Sequence, residues 1–264
     1  MGDFSQYRAI HSKLKRRFPL RKPNYSQASK QFTDLSQDFK DFELFAGYCC
    51  LASARCEHSL GNSNMELQAL LQAARYFAKG EEINAAISAY RHAILVANPS
   101  ISSIVYTELA RFFESNKRFN EAGVTYEEAG LLKEAANAYM DAHFYDKALF
   151  CYRKLEKSQL NLDDEVSIFL LKLHHYDNRR FSINFPIIQN DSENDDIISL
   201  NTLLESLYCC ESEGHDNEEV KTEIMNRLSV YLNGRQKELL YYHSDFSKRK
   251  ILVNIYSTES STFP

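Results

Sequence analysis

A run of basic side chains near the start of the chain could bind phosphates or an acidic protein surface. The sequence KLKRRFPLRKPN, residues 13–24, carries six basic residues and no acidic one: Lys13, Lys15, Arg16, Arg17, Arg21 and Lys22. Such clusters attract phosphate groups, act in nuclear import or pair with carboxylates. Three of these cations also fall where the last turn of a first helix is predicted, and the helix dipole stabilises cations there. Residue types alone leave open a solvated helix end, a nuclear-localisation or phosphate-binding patch, a membrane patch and a protein interface.

Histidine and cysteine side chains, which bind metals and act as nucleophiles, show no spacing typical of either task. His174 and His175 are adjacent and diverge by about 100° on a helix, so they do not share a metal ion by themselves. The remaining histidines form no HExxH pattern, and the six cysteines lie in apolar helical patterns where most are expected to be buried. No Gly-rich phosphate loop or nucleophile motif is present. We therefore expect no enzyme activity, no catalytic residue, no metal and no cofactor.

The composition is that of a globular chain, and the small net charge produces no strong overall electrostatic field. The 264 residues are 44% hydrophobic and 12% aromatic, which is enough to bury a core. The formal net charge of −5 argues against a dedicated nucleic-acid-binding protein. No apolar segment approaches the roughly 18 residues that span a bilayer, and no signal-peptide pattern follows Met1. The sequence therefore predicts a cytoplasmic or nuclear protein without a transmembrane segment.

Acidic residues accumulate towards the other end of the chain. Between Asp191 and Glu223 there are eleven acidic residues and one basic residue, Lys221. The acidic candidates for partner binding in this stretch are Glu211, Glu213, Glu218 and Glu219. Any electrostatic function is thus local, with a basic region early in the chain and an acidic region late.

The elements that carry these residues are predicted to be helices. Apolar residues recur at three- and four-residue spacing, and only 8 glycines and 5 prolines interrupt them. The pattern predicts helices over residues 3–17, from a cap at Asn24 through Phe39, and over 43–60 with Gly61 at the C-terminus. Further helices are predicted over 166–175, 197–210, 218–232 and 235–242, the last continuing weakly towards residue 255.

Between these regions the chain repeats one arrangement of alanines and aromatic residues. The recurring positions are Ala74, Phe77, Ala86, Tyr90 and Ala93, then Ala110, Phe113, Ala122, Tyr126 and Ala129, then Ala136, Tyr139, Ala148 and Tyr152. Small alanines let paired helices approach closely, and the pattern resembles the tetratricopeptide repeat. Two departures are a third unit that follows after about 26 residues instead of about 34, and the absence of tryptophan.

The predicted fold is an all-α, tetratricopeptide-like helical-hairpin solenoid. We expect a single domain over residues 1–264. Within it, the N-terminal helices would occupy 3–60 and the repeat core 63–157. An acidic connection of about 176–196 and C-terminal helices over 197–256 would complete the domain.

Two segments of the sequence resemble a known family. The runs YRAIHSKLKRRFPLRKPN (Tyr7 to Asn24) and GYCCLASARCE (Gly47 to Glu57) are similar to the N-terminal region of the 40-kDa huntingtin-associated protein family. The later stretches LLESLYCC and GRQKELLYYH are similar to its end in spacing and character. The chain departs from the vertebrate pattern by lacking a long Pro-rich insertion, whose place is taken by the segment around Gln159 to Asp164.

The resemblance implies a protein that binds huntingtin one-to-one, between the HEAT-repeat regions of that larger partner, and stabilises it. It also implies a link to early endosomes through a Rab GTPase, with locations in the cytoplasm, on early endosomes and in the nucleus. We therefore interpret the six basic residues and the four acidic candidates as two ends of a protein interface. The alternative is an independent adaptor in vesicle traffic that resembles the soluble NSF attachment proteins.

Overall fold

The computed structural model describes residues 4–15, 23–175, 195–212 and 218–242, and every regular element in these ranges is a helix. The chain divides into two compact units, Met1–Leu131 and Leu132–Pro264. None of the described helices is long and apolar enough to cross a bilayer.

In its described residues the first unit has seven helices, and neighbours along the chain pack against one another. Their bounds are α1 Ser5–Leu14, α2 Tyr25–Asp38, α3 Glu43–Leu60, α4 Ser63–Lys79, α5 Ile83–Val96, α6 Pro99–Ser115 and α7 Phe119–Glu128. The pairs α2 with α3, α3 with α4, α4 with α5 and α6 with α7 form the main contacts. Helix α1 packs on α2 through Tyr7, whose ring centre lies 5.2 Å from that of Phe32.

The second unit continues with helices of similar length. They are α8 Leu132–Asp141, α9 Tyr145–Arg153, α10 Leu162–His175, α11 Asp195–Ser212, α12 Glu218–Ser229 and α13, residues 234–242. A short 3₁₀ turn, Lys157–Gln159, separates α9 from α10. Helix α13 is tied to α8 by the two hydrogen bonds of Arg235 to Asp141, at 2.5 and 2.9 Å.

Side-chain caps explain where several helices begin and end. Asn24 accepts a hydrogen bond from the Gln27 amide, as predicted, and Asn98 caps α6 in the same way. Helix α3 ends at Gly61 with φ of +74°, the left-handed conformation that glycine adopts without strain. Asn161 exchanges hydrogen bonds with Asp164 at the start of α10, which satisfies two exposed backbone donors.

The repeated alanine and aromatic positions form the contacts between helices. All of these positions are buried except Ala129, which is half-buried. Alanines on facing helices leave space for the aromatic rings of the same hairpin and its neighbour. The predicted fold class, an all-α fold of helical hairpins of the solenoid type, is therefore confirmed. The assignment of residues 1–264 to a single domain stays a prediction.

Some predicted helix bounds are wrong by several residues. Helix α1 ends at Leu14, because Lys15 has extended backbone angles (φ −69°, ψ 123°) and its amide bonds the Ser12 carbonyl, so Lys15 does not lie in the last helical turn. Helix α10 begins four residues before the predicted Val166, at the cap formed by Asn161 and Asp164. Helix α11 begins at Asp195 and so includes the end of the predicted acidic connection. Residues 16, 17, 176–194 and 243–256 lie outside the described residues.

Three successive helices of the first unit are joined by one partly exposed ion pair. Arg75 of α4 donates to both carboxylate oxygens of Glu108 of α6, at 2.8 and 2.9 Å. The Tyr90 hydroxyl of α5 donates to the same carboxylate at 2.8 Å. The hydrogen bonds from Arg75 are the main reason that the pKa of Glu108 lies below its ordinary value of 4.5, although partial burial opposes them.

This ion pair predicts acid-sensitive stability. A carboxyl whose pKa is lowered by folding stabilises the protein above its unfolded pKa, and the gain is lost as the pH falls through the folded value. We expect Glu108→Gln to lower the free energy of unfolding by about 1 kcal/mol at pH 7. The difference from the unaltered protein should shrink below about pH 4.5, as measured by urea unfolding at each pH. Equal differences at pH 7 and pH 3 would contradict this assignment.

Candidate partner-binding groove

The residues predicted to bind a partner are only partly visible in the structure. Lys13 and Lys15 are exposed on and just after α1, and Glu219 is exposed on α12. Arg16, Arg17, Arg21, Lys22 and Glu213 lie outside the described residues, whereas Glu211 and Glu218 are described only as part of their helices. The basic set belongs to the first compact unit and the acidic set to the second. Their role in binding stays a prediction.

The first unit carries a groove that the sequence did not indicate. It encloses about 530 Å³ and is formed by α3, α4 and α5. Helix α4 supplies the buried floor through Glu66, Leu70 and Phe77. Residues of α3 and α5 form the two rims, and they are Tyr48, Leu51, Ala54, Arg55, His58 and Ser59 on one side and Ala85, Ser88, Ala89 and His92 on the other. We call this feature the α3–α5 groove.

One end of the α3–α5 groove is polar and centres on a buried carboxyl group. The side chain of Glu66 is 5% exposed, and both of its oxygens lie 3.1 Å from Nδ1 of His58. The Nε2 atom of His92 lies 3.8 Å from the same carboxyl group. Because a carboxylate oxygen accepts hydrogen bonds, we place the imidazole hydrogen of His58 on Nδ1. Glu66 thereby orients the imidazole of His58, and the imidazole of His92 lies near the same carboxyl group.

The other end of the groove is apolar. Phe77 is fully buried, and the half-exposed ring of Tyr48 meets it edge-on with ring centres 5.3 Å apart. Alanines on the neighbouring turns keep this end open. Glu66 and Phe77 are eleven residues apart on α4, which corresponds to about 16 Å along the helix axis. The groove therefore has an apolar end at Tyr48 and Phe77 and a polar end at Glu66 and the two histidines.

A buried polar network holds the α3 rim in place. Glu57 accepts hydrogen bonds from Ser29 of α2 and, at 2.8 Å, from Asn62. Ser53 of α3 lies 2.9 Å from the Ser29 hydroxyl and 3.0 Å from that of Thr33. Buried polar groups that are satisfied in this way fix one arrangement of two helices. The network therefore positions the α3 turn that carries Arg55 and His58.

The buried cysteines of the chain are structural. Cys49, Cys50, Cys56 and Cys151 are buried, which confirms the prediction for most of the six, while Cys209 is exposed and Cys210 half-buried. Burial raises the pKa of Cys49 to about 12, so its thiol stays protonated at neutral pH. Within the described ranges no three His, Cys, Asp or Glu side chains are arranged to hold a metal ion.

Sequence reasoning missed the polar end because its three residues come from three helices. His58, Glu66 and His92 form no recognisable spacing in the sequence. One signal was available: Glu66 shares a helical stripe with Leu70 and Phe77, at spacings of four and eleven residues. A carboxyl group on such an apolar stripe requires a polar partner on a neighbouring helix.

Comparison with known proteins supports the resemblance found in the sequence. No protein-family model matches the chain. Proteins named "40-kDa huntingtin-associated protein" from Rattus norvegicus and Mus musculus are each 43% identical to it over 83 residues. That match covers 30% of this chain and 22% of each relative, well below two thirds of their length. Over that segment, the similarity of this chain to the 40-kDa huntingtin-associated protein family is confirmed.

Proposed function

We propose that this chain is a non-enzymatic binding partner of huntingtin. The observation that carries the proposal is the 43% identity over 83 residues to relatives named for that association. In the proposal the chain binds one huntingtin molecule between its HEAT-repeat regions and stabilises it. A role in early-endosome traffic, with a Rab GTPase as a further partner, belongs to the same proposal, as does a location in the cytoplasm and nucleus. No cofactor, metal or nucleic acid takes part.

Several large apolar side chains are exposed on the described surface of each unit. Leu95 and Ile104 of the first unit are 83% and 66% exposed, and Phe150 and Val230 of the second are 54% and 79% exposed. Large exposed apolar side chains that form a contiguous patch are typical of surfaces that a partner covers. Helical-hairpin arrays offer extended surfaces for such contacts. A stabilising complex would cover part of these side chains.

Co-expression with the huntingtin of the same organism tests the proposal. We expect the tagged chain to recover a huntingtin-sized protein at equal stoichiometry and to co-elute with it on size exclusion. The chain should also melt at a higher temperature in the complex, because a partner that binds only the folded state stabilises it. Failure to retain huntingtin would contradict the proposal. Recovery of membrane-fusion complexes in its place would favour the adaptor related to the soluble NSF attachment proteins.

A further inference from the structure

Helix α13 lies alongside α10 and contacts it near both of its ends. At its start, the side-chain amide of Gln236 donates to the Asp163 carbonyl at 2.8 Å and to the Ser167 hydroxyl at 3.1 Å. At its end, the ring centre of Tyr242 lies 5.4 Å from that of His174. These contacts advance along both helices by about 10 Å, so α13 and α10 run in the same direction.

One side chain both begins α13 and docks it. Oε1 of Gln236 accepts a hydrogen bond from the Asn233 amide at 3.0 Å, and the Gln236 amide donates to Oδ1 of Asn233 at 3.1 Å. This reciprocal pair is a capping box, and it leaves the side-chain nitrogen of Gln236 to bind α10. A helix as short as residues 234–242 is not stable alone in water. The formation of α13 and its docking are therefore one event.

The remaining polar and aromatic contacts of α13 reach the end of α8, the turn after it and α9. Arg235 pairs with Asp141, and the two side chains are 44% and 20% exposed. The ring of Tyr242 stacks on His143, with 6.1 Å between ring centres, and meets Tyr145 edge-on at 5.5 Å. Ion pairs that water reaches contribute little to stability, and Tyr242 itself remains 45% exposed. These contacts fix the position of α13 without holding it strongly.

The helices beneath α13 are held together by a much larger apolar core. Helix α9 packs on both α8 and α10. Four large side chains of these helices are at most 2% exposed, namely Tyr139, Leu149, Leu170 and Leu171. In α13 the buried side chains are Gln236, Leu239 and Leu240. Elements with few buried apolar contacts open at a lower free energy than the core on which they pack. We therefore expect α13 to open before α8–α10.

We propose that α13 is a latch, a helix that undocks from α8–α10 as one unit while those three helices stay folded. The docked helix covers Ser167 and the surface beneath Leu239 and Leu240, and undocking exposes that surface to other molecules. The link to α12 allows this movement, because Val230 is 79% exposed and the space around Gly234 is open. The latch belongs to the second compact unit alone, so it does not depend on the proposed function.

Hydrogen exchange of the full chain, followed residue by residue by NMR, tests the latch. We expect the amides of residues 238–242 to exchange together and at least about tenfold faster than those of α8. After correction for intrinsic rates, Tyr242→Ala should speed exchange of residues 238–242 about fivefold and leave α8 unchanged. Tyr241→Ala is the matched control. Tyr241 is 47% exposed and has no ring contact with another described residue, so its loss should leave exchange unchanged.

A charge exchange between α13 and α8 adds a second measurement. Arg235→Asp should speed exchange of residues 238–242 about tenfold, because a bidentate ion pair is replaced by two like charges. Asp141→Arg in the same chain should restore most of the loss, and failure to do so would show that this pair does not hold the latch.

Two patterns of exchange would overturn the proposal. Equal rates in α13 and α8, in the unaltered chain and in Tyr242→Ala, would show that the second unit opens only as a whole. Rates that rise gradually towards residue 242 would indicate a fraying helix end in place of a helix that undocks as a unit.

Discussion

Replacing Phe77 with alanine should lower the free energy of unfolding by about 3–5 kcal/mol, the cost typical of deleting a buried aromatic ring. Phe77 is 0% exposed, and its ring fills the space between α3 and α4 next to Gly47 and Tyr48. The loss combines the transfer free energy of the ring with the cavity that remains, because helices joined by several contacts do not collapse into it. Urea unfolding followed by far-UV circular dichroism measures the change.

An exposed phenylalanine provides the control for this prediction. Phe150→Ala makes the same chemical change at a side chain that is 54% exposed and contacts the ammonium group of Lys154, 4.2 Å from the ring centre. Its cost should stay below about 1 kcal/mol, since it loses mainly an exposed cation–π contact. If both variants lost the same small amount, Phe77 would not be part of the core that joins α3 to α4.

The repeat core could be predicted because its signal is local. Ala74, Phe77, Ala86 and Tyr90 recur in an order that only paired helices explain, and every one of them is buried. Caps are also local, and Asn24 and Gly61 begin and end helices as predicted. Each of these signals depends on residues within one or two turns, where the chemistry of a few side chains decides the backbone conformation.

The groove could not be predicted in the same way, because its chemistry depends on contacts between helices. Glu66 and His92 are 26 residues apart, and only the antiparallel packing of α4 and α5 brings them within 3.8 Å. Gln236 of α13 is a similar case. It is almost fully buried, and its side-chain amide donates hydrogen bonds to the Asp163 carbonyl and the Ser167 hydroxyl of α10. A single sequence does not state which polar residue meets which, since register and packing angle decide it.

The same distinction applies to the charged ends. The basic and acidic clusters are visible in the sequence because charge is a property of composition, whereas the groove becomes visible only through the packing of three helices. Lys13 and Lys15 are solvent-exposed, so they remain available for long-range attraction. The network around Glu57 holds the α3 turn that carries Arg55, although the Arg55 side chain itself is exposed. Exposed charged clusters of this type speed association.

Gly47→Val should destabilise the protein by about 2–3 kcal/mol. Whereas Phe77→Ala removes atoms from the core, Gly47→Val adds atoms and overpacks the contact with the Phe77 ring. A Cβ atom at residue 47 would lie 2.6 Å from Cε1 of Phe77 and 2.9 Å from two further ring atoms. Ordinary contacts between carbon atoms are about 3.5–4.0 Å long, and a rigid, fully enclosed ring has no room to move away. Valine has a higher helix propensity than glycine, but this difference offsets only a few tenths of a kcal/mol of the loss. We therefore expect a net decrease in stability.

A double variant identifies the clash as the cause. Phe77→Leu removes the ring atoms that meet the new side chain, so Gly47→Val should cost about 1–2 kcal/mol less in the Phe77→Leu background than alone. Gly234→Val is the matched control, since a Cβ atom there meets no other atom within 4 Å, and it should change stability by less than about 0.5 kcal/mol. Urea unfolding of the unaltered protein, Gly47→Val, Phe77→Leu and the double variant gives the coupling free energy between the two positions. Strictly additive losses would mean that Gly47 is required for a reason other than the close approach of Phe77.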